Sequence, residues 1–144
     1  MKYLTSILAA FVFAALSSAA SAHEHHAPHK GTLVEFGEEF AHLELVIDQA
    51  SGKISGYVLD GEAEKPVRIA QKDITLKITK EDFSITLKAV ANELSGEKEG
   101  DTSEFSGQSD KLKGLKIFDA LVLQITVKGK EFKEVKFNFP KGNE

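Results

Sequence analysis

The sequence predicts an all-β fold, and three observations carry that prediction. Apolar and polar residues alternate over short stretches. Turn signals separate those stretches, and neither a heptad pattern nor an internal repeat is present. Strands of this kind, about eight in number, make an immunoglobulin-like two-sheet β-sandwich the expected architecture over residues 31–140. A tail is expected at 141–144.

The elements follow in order. GTLVEF (31–36) and FAHLELVID (40–48) flank GEE and read as a hairpin. If that hairpin is centred on Glu38, Val34 faces His42 and Thr32 faces Glu44 across the pair. KISGYVLD follows the turn QASG. KPVRIA is a short segment whose leading Pro66 suits a sheet edge. DITLKIT places Ile74, Leu76 and Ile78 on one face, and FSITLKAV does the same with Phe83, Ile85, Leu87 and Ala89. The acidic stretch 92–104 reads as a loop, EFSGQ as a short strand, and SDKLKGLK as one helical turn capped by Ser109 or Asp110. FDALVLQITV and KEFKEVKFNF form the strongest hairpin, turning at KGK. Phe132 is out of phase with Val135, Phe137 and Phe139, so a bulge is expected there.

Residues 1–22 have the grammar of a cleaved signal peptide. Lys2 gives a positive start, ILAAFVFAAL (7–16) an apolar centre, and Ala20 and Ala22 an A-x-A site. The apolar centre is shorter than the ~20 residues a membrane-spanning helix needs. The expected location is therefore periplasmic or secreted, with no membrane association after cleavage. Lys2 is the only charged side chain among residues 1–22, so cleavage lowers the 18 Lys and Arg to 17, against 22 Asp and Glu, a net charge of −5. That balance disfavours nucleic acid, whose phosphates require a basic surface. The chain has no cysteine, so burial and hydrogen bonding must hold it together without disulfides.

No nucleophile elbow, phosphate loop, dinucleotide fingerprint or H-E-x-x-H zinc motif is present, and no enzyme activity is expected. Glu38 and Glu39 read as a solvated turn. Asp60, Glu62 and Glu64 in LDGEAE lack the ligand spacing of a calcium loop.

The chemistry lies in the histidines. HEHHAPHK (23–30) reads as a flexible His-rich leader carrying His23, His25, His26 and His29. Imidazole suits Cu(II), Zn(II) and Ni(II). Cleavage after Ala22 makes His25 the third residue, where its imidazole, the new amine and two backbone amides form a square-planar set favouring Cu(II) or Ni(II). The mature chain has no Cys and no Met, so the soft ligands of Cu(I) are missing. The alternative is a polar leader with no metal. The fifth histidine, His42, shares a strand face with Glu44, opposite Leu43, Leu45 and Ile47. With His29 it would make a three-ligand nitrogen and oxygen site with room for water. A surface histidine with an ordinary ion pair is the alternative there.

HKGTLVEFGEEFAHLELVIDQASGKISGYVLDGEAEKPVRIA, with SEFSGQSDKLKGLKIFDALVLQITVKGKEF, resembles a β-domain of exported bacterial proteins similar to one found beside periplasmic adaptor subunits of heavy-metal efflux systems. The shared pattern is a His-Gly-Gly lead-in to the first strand, an HLEL-like second strand, a YVLD strand and a late FDA strand. Lys30 stands where the pattern has its first Gly. The resemblance implies a periplasmic all-β domain handling metal, with His29, His42 and Glu44 as ligands and an efflux adaptor as partner. A non-metal interaction or structural module of the cell envelope is the competing reading.

Overall fold

The computed structural model describes residues 25–143. The expected signal peptide and His23 lie outside the described residues. The described chain is all-β, with strands β1 (Thr32–Phe36), β2 (Ala41–Asp48), β3 (Lys53–Leu59), β4 (Asp73–Ile78), β5 (Phe83–Ala89), β6 (Glu104–Gln108), β7 (Phe118–Val127) and β8 (Lys130–Phe139). A 3₁₀ turn at Asp110–Leu112 is capped by the Ser109 hydroxyl, which accepts from the Lys111 N–H. Among the described residues, no helix is long and apolar enough to cross a membrane.

All eight strands join one antiparallel sheet in the order β1-β2-β3-β6-β5-β4-β7-β8. The expected division into two hydrogen-bonded sheets is therefore not what the pairing shows. The reason is β6, which pairs with β3 along five residues and with β5 at Lys88–Ser106 and Ala89–Phe105. That short strand stitches together what would otherwise be separate sheets. The sheet curls until its first and last strands approach, and there Phe36 meets Phe132 with ring centroids 5.5 Å apart. Inside lies one apolar core to which every strand contributes, including Val34, Leu43, Ile54, Leu76, Leu87, Phe105 and Val122. Leu112 of the 3₁₀ turn is buried in the same core.

Two local features depart from the expected pattern. The first hairpin pairs Val34 with Leu43, Glu35 with His42 and Leu33 with Glu44, one residue away from the expected register. Its connection runs from Gly37 to Phe40, with Gly37, Glu38 and Glu39 all at positive φ. The extra residue puts Val34 and Phe36 beside Leu43 and Ala41 on the apolar face. The expected register would have set Val34 against His42 instead, and a one-residue slip exchanges the two faces completely. In the last hairpin no residue is inserted. Leu123 and Glu134 are skipped in an otherwise continuous register, Glu134 has φ 50°, and Phe132 pairs with Ile125. Both strands change phase together, which turns Phe132 onto the core without a one-sided bulge.

The segment KPVRIA forms only isolated bridges, Leu59–Pro66 and Ile69–Thr102. At the other end of the chain, residues 140–143 lie on β1. The Pro140 carbonyl accepts from the Thr32 hydroxyl at 3.0 Å. The Asn143 amide accepts from the Glu35 N–H (2.7 Å) and donates to the Glu35 carbonyl (3.1 Å). Backbone groups that an edge strand would otherwise present are satisfied in this way.

Candidate functional site

The alternation in β2 sends Leu43 and Leu45 inward and His42 and Glu44 outward. Yet His42 and Glu44 are both 0% exposed. A second layer covers them, made from residues 25–31 on one side and the loop after β3 on the other. Ala27 from the first packs with Leu33, Leu59 and Ala63 in a small apolar cluster of its own. From His25 onward, the segment expected to be a free leader is therefore laid against the sheet.

Glu44 fastens that segment. Its Oε1 accepts the backbone N–H of His29 at 2.7 Å and of Gly31 at 2.8 Å. Its Oε2 lies 2.7 Å from His29 Nδ1. Gly31 admits no side chain, because a Cβ there would stand 2.6 Å from the Leu45 carbonyl and 2.8 Å from Glu44 Cγ. Lys30 has φ 58°, the left-handed conformation that glycine adopts without cost. The His29 ring stacks on Tyr57 at 3.8 Å and stays 44% exposed. Tyr57 is the residue opposite Glu44 on β3. Burial first, and the nearby Glu104 carboxylate second, push the Tyr57 hydroxyl pKa above its ordinary value.

His25 and His42 form a second pair, with ring centroids 4.9 Å apart and tilted by 51°. The loop after β3 orients both. His42 Nδ1 donates to the Asp60 carbonyl at 3.0 Å, and His25 Nδ1 to the Glu62 carbonyl at 3.2 Å. A carbonyl can only accept, so each Nδ1 carries the proton, while His25 Nε2 lies 3.4 Å from Glu39 Oε1. Asp60 in turn closes the loop, with Oδ1 accepting from the N–H groups of Glu64 (2.9 Å) and Lys65 (3.2 Å). Burial works against that carboxylate, but the backbone N–H groups of Glu64, Lys65 and Glu62 outweigh it and hold its pKa below the usual value.

The structure thus brings His25 to His42 and His29 to Glu44, as two pairs anchored two residues apart on one strand, about 7 Å along the sheet. His26 is exposed beside them. Among the described residues, no three His, Cys, Asp or Glu side chains are gathered around one point as a metal ion would need. Glu44 spends both oxygens on the 29–31 segment, so its observed role is to position His29.

The sequence reading leaves out Tyr57 and takes Asp60 and Glu62 only as carboxylates. Tyr57 could have been found by closing the second hairpin at QASG, which sets Glu44 against Tyr57. Asp60 and Glu62 act through backbone carbonyls, which no residue type announces. No protein-family model matches the chain, and no curated protein or solved structure is significantly similar to it.

Proposed function

We propose that this chain is an exported metal-binding protein, not an enzyme, that takes a divalent transition metal, Cu(II), Zn(II) or Ni(II), on the histidine face of β1–β3. One observation carries the reading. His25, His29 and His42 each turn Nδ1 toward an oxygen acceptor, namely the Glu62 carbonyl, the Glu44 carboxylate and the Asp60 carbonyl. Histidines that ligate through Nε2 are oriented in this way, with the other nitrogen donating to a carbonyl or carboxylate. Burying that apparatus costs the fold hydrogen-bond donors and acceptors that an ordinary polar surface would leave to water.

The square-planar set expected after cleavage at Ala22 would use His25 Nδ1, which here donates to the Glu62 carbonyl, so the Nε2 reading replaces that set rather than adding to it. The resemblance to domains beside efflux adaptors supports a handover role with such an adaptor as partner, in the periplasm. Calorimetric titration of the exported protein with each metal tests the reading. One ion is expected to bind, at least about tenfold more tightly than to a His25→Ala/His42→Ala variant. Equal affinity for the two proteins, or no binding to either, would sink it and favour the non-metal interaction module.

A further inference from the structure

Two histidine–glutamate pairs stand on the same face, and they differ in spacing. His29 Nδ1 and Glu44 Oε2 are 2.7 Å apart, an ordinary charge-assisted hydrogen bond. His25 Nε2 and Glu39 Oε1 are 3.4 Å apart, long for such a bond. Zinc bonds of about 2.0–2.2 Å to nitrogen and oxygen, set at the tetrahedral angle, hold two ligand atoms about 3.4 Å apart. The second pair therefore has the edge length of a coordination tetrahedron.

The backbone presents Glu39 deliberately. Its φ is 62°, a left-handed conformation that a glutamate adopts at a cost. Its N–H donates to the Glu35 carboxylate. Its carbonyl lies against Gly61, where a Cβ would come within 2.0 Å of that oxygen. Gly61 belongs to the same loop whose carbonyls orient His25 and His42. One loop thus sets the two imidazoles and the turn that carries the carboxylate. The exposures are complementary, since the His25 side chain is 7% exposed and the Glu39 side chain 53%.

We infer that Glu39 is a ligand, completing with His25 and His42 a two-histidine, one-carboxylate centre that suits Zn(II) and leaves one position for water or an incoming ligand. This inference rests on the metal-binding reading above and adds a residue to it. The three side chains are not gathered around one point among the described residues, so an ion would have to draw His42 and Glu39 in around His25 Nε2.

The probe is zinc alone, titrated calorimetrically into the exported full chain and into Glu39→Gln, Glu39→Asp and Glu38→Gln variants. Glu38→Gln removes the same charge from the same turn, and Glu38 makes no contact with His25 among those described. Glu39→Gln is expected to weaken binding by about tenfold or more, and Glu38→Gln by less than about twofold. Glu39→Asp, which keeps the carboxylate, should fall between them. Thermal melts confirm that each variant is folded. Normal binding by the parent with unchanged Glu39→Gln overturns the Glu39 assignment and leaves the histidine reading standing. Equal losses in Glu38→Gln and Glu39→Gln reduce the effect to net charge and overturn it as well. A parent that binds no zinc overturns both.

Discussion

Strand β2 has two faces that are equally closed to solvent and chemically opposite. Leu43 and Leu45 on one side, and His42 and Glu44 on the other, are each 0% exposed. The leucines are held by apolar contact with the core, a non-directional attraction that grows with the area removed from water. The polar pair is held by named hydrogen bonds, because a buried polar group without a partner costs about 1–3 kcal/mol. Removing a leucine should therefore disturb the whole fold. Removing a polar partner should release only what it fastens.

The sharpest way to break that contrast is to compare Leu43→Ala with Glu44→Gln. Leu43→Ala is expected to cost about 2–5 kcal/mol, read as a shift of the entire denaturant transition. Glu44→Gln removes the charge from hydrogen bonds worth about 1.5–3 kcal/mol each when charged, and a smaller global loss of about 1–2 kcal/mol is expected. Its signature is local, with hydrogen exchange accelerated at the Gly31 amide while core amides of β4 and β7 stay protected. Uniform acceleration in Glu44→Gln would mean that the outer layer is part of one cooperative unit with the core.

The smallest effect runs the other way. Lys30 sits at φ 58°, where an L-residue pays about 1–2 kcal/mol that glycine does not. Glycine also gains freedom in the unfolded chain, worth about 0.4–1 kcal/mol against it. Lys30→Gly should then stabilise the protein by about 0.5–1 kcal/mol in the same denaturant series. A loss of stability would show that the lysine side chain contributes something that the backbone argument omits.

The strands were legible because each buries a face, and burial writes a period of two into the sequence. That same period assigned Leu43 and Glu44 to opposite sides of β2. It could not say that both sides are covered, since the cover comes from chain segments remote in sequence. Register was lost by one residue at Gly37–Phe40 because the turn contains two glutamates in left-handed conformations, which residue type does not advertise. The sheet order was illegible for a related reason. Whether β6 bridges β3 and β5 depends on pairings that a five-residue strand does not specify alone. The histidines were visible as candidate ligands. Their pairing was not, because the backbone carbonyls of Asp60 and Glu62 do the sorting.

Asn143 is hydrogen-bonded through its amide to the backbone of Glu35, and Glu35 is the residue opposite His42. Pro140 and Lys141 border the same shallow depression as His25 and His26. A fluorophore carried just beyond Asn143 is therefore expected to sit within reporting distance of the imidazoles without replacing any of them. If the proposed site takes Cu(II), paramagnetic quenching would report its occupancy in intact protein, at concentrations far below those that calorimetry needs.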